Sequence, residues 1–356
     1  MVNGKLSAFL KIIPASENEG GYAEGGLGKL REIRTLAFGP VPSRRLGRSL
    51  GINNIPPKWC SYSCVYCQLG RTSNMLVDRQ TFYEPKEIFE EVKSRIKKLS
   101  ARGENIDYLT FVPDGEPTLD INLGREISLL KELGIPIAVI TNASFLWRSD
   151  VRKDLLNADL ISIKVDAVSQ NLWKKINRPH RSLKLNAILN GIKEFVNAFN
   201  GTIISETMLI NGIEYEREVE KIARFLGKLE KLNKAYVAIP TRPPAEKWVK
   251  PAREKTLNIA FQTFSKHLGE DRVEYLIGYE GDIFGSTGNI REDLLGIMAV
   301  HPMREEAVKN FLQRANASWR IIEELLRDDE IIRLKYDGKA YYMRKLSAKR
   351  RRSRRK

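Results

Sequence analysis

Short apolar runs alternate with amphipathic helical stretches along most of this chain, and that rhythm limits its fold more than any other feature. The runs lie at 50–53, 108–112, 135–140, 160–165, 202–210 and 235–239. Between them the spacing predicts helices near 85–99, 122–133, 147–156, 169–177, 183–199 and 214–231. In the first helix, Ile88, Phe89, Val92, Ile96 and Leu99 share one face with charges opposite, and Pro85 suits its first turn. Strands separated by helices must run parallel, joined by right-handed crossovers. Six such units are too few to close the usual eight-stranded barrel and suit an open (βα)6 partial TIM-type barrel. Chemistry in such α/β barrels collects at the C-terminal ends of the strands.

One of those ends carries every cysteine in the 356 residues: Cys60, Cys64 and Cys67, in CSYSCVYC. Packing cysteines would be scattered among apolar positions. These sit together in a polar loop, as thiols gathered at one metal centre do. Thiolates suit iron–sulfur clusters or zinc. Three of them on a four-iron cluster leave one iron open, which suggests catalysis. The alternatives are a zinc site completed by a histidine, or a disulfide with a spare thiol. His180, His267 and His301 all lie far from the triplet in sequence.

CSYSCVYC resembles the CxxxCxφC signature of the radical S-adenosylmethionine (SAM) enzymes, φ being aromatic. The resemblance implies a [4Fe-4S] cluster on Cys60, Cys64 and Cys67, with SAM on the open iron. It also implies an external electron donor and a 5′-deoxyadenosyl radical that takes hydrogen from a substrate. Tyr66, the aromatic position of the signature, joins the expected SAM-binding set. Asp114-Gly115-Glu116-Pro117 is similar to the family's GGEP motif, which implies that Gly115 and Glu116 hold the SAM amino group. Asp114 departs from the usual glycine. Thr141-Asn142-Ala143-Ser144 ends the third strand, where Asn142 and Ser144 offer SAM contacts or cap the next helix. Lys164 and Asp166 close the fourth strand in SIKVDA, and Glu206 lies in the fifth. Asp166 and Glu206 can accept ribose hydroxyls. Lys164 can steady the SAM carboxylate or act catalytically as a Schiff-base amine. Two residues apart on a strand, Lys164 and Asp166 are expected to share the lumen.

GPVPSRRLG, CSYSCVYC, DGEPTL, TNAS, KVDA and NRPH together resemble the branch of wyosine-base-forming tRNA enzymes and their smaller relatives, from about 38 to 242. Those enzymes use pyruvate and a second cysteine-held cluster. No cysteine remains here for a second cluster, so a sister reaction, with RNA first among substrates, is the expectation. Arg44, Arg45 and Arg48 in that stretch either contact a substrate phosphate or pair with surface carboxylates.

Beyond the barrel (34–280) and a glycine-rich linker (281–288), residues 289–346 predict three helices and a hairpin around Asp337-Gly338. Three helices and a hairpin make a C-terminal winged helix-turn-helix, a module that binds nucleic acid or protein. Residues 1–33 read as a glycine-rich leader without a signal-peptide pattern, and 347–356 as a basic tail. The net charge is +16, of which the tail supplies seven, leaving +9 on the rest. That balance favours a polyanion such as RNA or tRNA. No apolar run approaches the roughly 20 residues that cross a bilayer, so no membrane partner is expected and the cytoplasm is the expected location. A nucleic-acid-binding regulator with a structural or redox-sensing metal loop remains the alternative of another class. Such a regulator has no need of DGEPTL or TNAS.

Overall fold

The computed structural model describes residues 35–345, so the leader and the basic tail lie outside the described residues. The chain enters as an antiparallel hairpin, β1 (Ala37–Ser43) and β2 (Gly47–Ile52). Two short parallel strands, β3 (Trp59–Cys60) and β4 (Asn74–Met75), bracket the cysteine loop. Then follow α1 (Pro85–Ser100), β5 (Tyr108–Phe111), α2 (Leu123–Leu130), β6 (Ile137–Thr141), α3 (Ser149–Leu155) and β7 (Leu160–Lys164). After α4 (Gln170–Ile176) and α5 (Leu185–Ala198) come β8 (Thr202–Met208), α6 (Glu216–Gly227), β9 (Leu232–Ala238), α7 (Glu254–Leu268) and β10 (Val273–Leu276).

These strands form one eight-stranded open sheet in the order β1-β2-β5-β6-β7-β8-β9-β10. Every neighbouring pair from β2 to β10 is parallel. The expected six units are therefore present, extended by β10 at one edge and by the antiparallel β1 at the other. β1 carries Pro40 and Pro42, which argue against a strand in sequence. A proline is tolerated at a sheet edge or a bulge; β1 is an edge strand with a register shift between Phe38 and Val41. Burial explains the helices: Ile88, Val92 and Leu99 of α1, and Leu123, Ile127 and Leu130 of α2, turn their apolar faces onto the strands.

Asp120 and Glu126 are buried where the chain enters α2, and Asn54 donates to Glu126 Oε2 at 3.1 Å. Burial, and then the neighbouring Asp120 carboxylate, push the Glu126 carboxyl far above its usual range. Burial raises Asp120 as well. The folded pair thus keeps a proton that the unfolded chain has lost at neutral pH. With a raised folded pKa on a carboxyl, the site is most favourable below the ordinary carboxyl range and loses stability as pH rises. Glu126→Gln supplies the proton permanently. In thermal unfolding scans its midpoint relative to wild type is expected to climb between pH 5 and pH 8; a flat difference counts against the shared proton.

The C-terminal elements are α8 (Ile290–Val300), β11 (Met303–Arg304), α9 (Glu305–Arg314), α10 (Arg320–Arg327), β12 (Ile331–Tyr336) and β13 (Lys339–Arg344). The strands make a small antiparallel sheet ordered β11-β13-β12. Asp337 and Gly338 both have positive φ, as the tight turn of this hairpin requires. The apolar core here includes Phe38 and Val41 of β1 alongside Leu294, Met298 and Phe311. The glycine-rich linker is fastened rather than loose. Asp293, fully buried, accepts from Ser286 Oγ, Thr287 N and Arg95 Nη2, and Gly285 N donates to Pro40 O. Among the described residues no helix is long and apolar enough to cross a membrane.

Candidate functional site

The cysteine loop leaves the end of β2 and is gripped from two sides. On one side Asn74 N donates to Lys58 O and Leu76 N to Cys60 O. On the other, Val65 N donates to Ile176 O, Ser63 N to Asn177 O and His180 N to Ser61 O, so NRPH acts as a backbone rail for the loop. Cys67 N closes a turn onto Cys64 O, and Gly70, at positive φ, donates to Cys67 O.

All three cysteines are free and half-buried, which removes the disulfide alternative. Burial pushes the Cys64 thiol up to about 12 and raises Cys60 and Cys67 too, and Cys67 adds repulsion to both of the others. Three thiols crowded this way become thiolates only when a positive group offsets both costs. Among the described residues no three His, Cys, Asp or Glu side chains converge as the ligands of a single metal ion do. A cubane needs no such convergence, because each cysteine binds a different iron. Amide donors also face the sulfurs, Asn142 Nδ2 at 3.5 Å from Cys60 Sγ and Asn177 Nδ2 at 3.6 Å from Cys64 Sγ. The donor set fits a [4Fe-4S] cluster.

The expected strand-end residues fall into three groups around this loop. In the first, Glu116 is fully buried; its carboxylate accepts from Thr118, from Thr141 Oγ1 at 2.6 Å and from Asn142 N at 2.8 Å. Asn142 Oδ1 accepts from Ser144 N, while Asn142 Nδ2 and Ser144 Oγ both reach Ser61 Oγ, at 3.0 and 2.6 Å. Gly115 lies directly under the loop: a Cβ there would stand 1.9 Å from Trp59 O. Asp114 is buried with Lys58 Nζ at 3.7 Å; burial raises its carboxyl to about 6 against the pull of that lysine.

The second group joins Tyr66, Asp166 and Asn177. Tyr66 donates its hydroxyl to Asp166, Asn177 Nδ2 donates to Asp166 Oδ2 at 2.7 Å, and Met208 N to Oδ1 at 2.8 Å. The third group is Lys164 with Glu206, which are paired across β7 and β8. Lys164 Nζ donates to Glu206 Oε1 and Arg45 Nη1 to Oε2, both at 2.7 Å. Burial alone would raise Glu206, yet Lys164 and Arg45 hold it down at about 2. Lys164 is desolvated too, but Glu206 and then Asp166 raise its pKa, so it stands as a cation. β7 ends at Lys164, yet Lys164 and Asp166 still line one small pocket together, and both meet Tyr66, the amine over its ring and the carboxylate at its hydroxyl.

Asn177 went unassigned by sequence reasoning, although NRPH contains it. It reaches Cys64 Sγ, Tyr66 and Asp166 at once. Removing such a partner of a metal-holding shell typically costs 10–100-fold in metal affinity. Asn177→Ala is therefore expected to lose iron to a chelator roughly tenfold faster than wild type; equal rates of iron release show that the amide does not support the cluster.

Next to the loop, the lumen opens into a cavity of about 330 Å³. Cys67, Tyr66, Lys164, Glu206, Arg242 and His301 share its wall. Arg242 donates to Gln68 Oε1 at 2.7 Å, pairs with Glu280 and lies 2.6 Å from His301 Nε2. Gln68, one residue past the last cysteine, also donates to Val300 O at 2.9 Å. The C-terminal elements thereby roof the cavity, helped by Tyr336 and Tyr341, whose hydroxyls donate to Pro240 O and Thr241 O at 3.0 Å.

A family profile described as the radical SAM superfamily matches residues 54–226. A UPF0026 protein of Methanocaldococcus jannaschii is 49% identical over 316 residues, covering 88% of this chain and 98% of its own length. A UPF0026 protein of Synechocystis is 38% identical over 208 residues, covering 58% of this chain and 76% of that one. Among solved structures, a radical SAM methyltransferase from Sphaerobacter thermophilus matches 64% of this chain and 66% of its own at 15% identity, with a TM-score of 0.48. TYW1 with a lysine–pyruvate adduct bound matches 63% of this chain and 74% of its own at 16% identity, with a TM-score of 0.46. At that distance neither structure bears on the substrate.

Proposed function

Because this chain belongs to the radical SAM superfamily and, within it, to the UPF0026 proteins, we propose that it removes a hydrogen atom from a substrate held in the cavity beside Cys67. When bound, the cluster and SAM supply a 5′-deoxyadenosyl radical, with the electron coming from an external donor. The carrying observation is the loop itself, with three free cysteines at the C-terminal mouth of a parallel sheet and amide donors facing two of the sulfurs.

The chain's own residues do the rest by position and charge. Cys60, Cys64 and Cys67 would hold the cluster as thiolates, with Asn142 and Asn177 placing N–H donors on two of those sulfurs. Gly115 lets a ligand and the loop approach the backbone. Glu116 Oε1 accepts from Thr118 and Thr141 and Oε2 only from Asn142 N, so the carboxylate fixes the turn that carries Asn142 and Ser144 and keeps acceptor capacity on Oε2 for the SAM ammonium. Asp166 anchors Tyr66 beneath the loop. Lys164, a cation held 5.0 Å from the Tyr66 ring centroid, orients a carboxylate in the cavity, while Glu206 keeps it charged.

The order helix, strand, helix, helix, hairpin supports reading the C-terminal elements as a winged helix whose hairpin grips the barrel. An RNA substrate is a second reading, supported by the +16 charge. It draws no support from α10, where Arg320 pairs with Glu324 and Arg327 with Asp328.

The test is anaerobic reconstitution with iron and sulfide, then reductant and SAM, with 5′-deoxyadenosine measured by chromatography. Reductant-dependent product is expected. A protein that takes up zinc and no iron–sulfur chromophore would sink the reading.

A further inference from the structure

We propose that the cavity binds a small organic dianion, a phosphate monoester or a dicarboxylate, through Arg44, Arg45 and Arg242. The proposal rests on the reading above and specifies its substrate class. Four cationic side chains line this one cavity, Arg44, Arg45, Lys164 and Arg242, against two carboxylates, Glu206 and Glu280. His301 adds no charge, since burial and then Arg242 hold it well below its usual range. The wall thus carries two positive charges in excess.

Their arrangement makes the excess costly. Glu206 is already shared between Arg45 and Lys164, and Glu280 is taken by Arg242. Arg44, at the turn of the β1–β2 hairpin, makes no hydrogen bond or ion pair among the described residues. It is close enough to repel Arg45 and Arg242, and Glu206 draws it less strongly than Arg45 repels it. Arg44 is an exposed member of the wall while Arg45 and Arg242 are half-buried, so an anion entering from solvent can meet all three guanidinium groups, whose forks fit phosphate and carboxylate oxygens.

The cofactors do not supply that charge: a cluster on three thiolates would carry a net negative charge and SAM, through its sulfonium, a net positive one, so the two together would leave the excess largely in place. A volume of about 330 Å³ suits a small molecule, and the same wall includes the apolar Ile140, Met208 and Ile239. The ligand therefore has an anionic end and a carbon skeleton, and that skeleton lies in the same chamber as Cys67.

Titration calorimetry on the reconstituted full chain at constant ionic strength tests this, with inorganic phosphate and succinate as separate probes against chloride. One-to-one binding of one probe is expected, and the preferred probe tells phosphate from dicarboxylate. Arg44→Gln is expected to weaken it by roughly tenfold, as losing a charge-assisted hydrogen bond does. Lys228→Gln removes the same charge from the exposed end of α6 and is expected to change nothing. Three results overturn the proposal: neither probe binds, the Lys228 variant loses as much affinity as the Arg44 variant, or only an RNA oligonucleotide binds. Failure of the radical reading shows separately, as a missing iron–sulfur chromophore.

Discussion

Cys64→Ala abolishes 5′-deoxyadenosine formation and leaves a folded protein. Cys64 is one of the three thiols in the described structure, and no fourth side chain converges to replace it. Two remaining thiolates cannot hold a cubane against exchange with solvent. The fold does not depend on the thiol, because the loop is fixed by backbone bonds from Val65 to Ile176 and from Ser63 to Asn177. Trimming the sulfur of a half-buried cysteine costs at most about 1 kcal/mol, the low end of core truncations. Circular dichroism and the midpoint of unfolding of the metal-free protein should therefore stay near wild type, while iron, sulfide and product vanish together. Product formed at wild-type rate by the variant would remove the cluster from the mechanism. Collapse of the metal-free fold would instead assign Cys64 a structural role that its surroundings do not indicate.

Gly115→Ala acts on the same centre without touching a ligand. A Cβ at this position meets Trp59 O at 1.9 Å and Ile55 Cδ1 at 2.7 Å. The first neighbour is backbone, so it cannot rotate aside. Either β3 lifts from the end of β5, carrying Cys60 with it, or the DGEP turn retreats and breaks the bond from Glu116 N to Trp59 O. Forced overpacking of this kind costs about 1–3 kcal/mol. The expected signature is a lowered unfolding midpoint in the metal-free protein, with a loss of bound iron out of proportion to it. Unchanged midpoint and iron content would mean that the loop tolerates a shift larger than its hydrogen bonds suggest.

Much of the scaffold could be read from the chain because its causes are local. The 3.6-residue spacing of Ile88, Val92 and Leu99 places α1, and Asp337-Gly338 places the last hairpin. CSYSCVYC marks the metal loop because ligand spacing is itself a sequence property. What escaped has non-local causes. Pro40 and Pro42 hide β1, whose strand character depends on lying at an edge. The partners of Glu206 are settled by register, which sets Lys164 opposite it and brings Arg45 in from the hairpin. Asp166 lies beyond the end of β7, and its bonds to Tyr66 and Asn177 come from segments 100 and 11 residues away. Of the three arginines offered as phosphate contacts, Arg48 pairs with Glu104, Arg45 with Glu206, and only Arg44 is left without a partner among the described residues. No periodicity links Gln68 to Val300, 232 residues away.

That last contact bears on how the site comes to be assembled. During synthesis the cysteines emerge long before Val300, which braces Gln68, His301, which lines the chamber, and Tyr336 and Tyr341, which hold the neighbouring strand end at Pro240 and Thr241. Until those later residues arrive, the apolar side of β1 around Phe38 and Val41 also lacks its cover. The three cysteines nevertheless stay half-buried in the finished chain, so iron and sulfide can still reach the loop once the C-terminal elements have docked. Late docking therefore governs the shape of the chamber beside the cluster rather than access to the thiols, and a chain stalled before it docks can carry a cluster yet lack a finished substrate site.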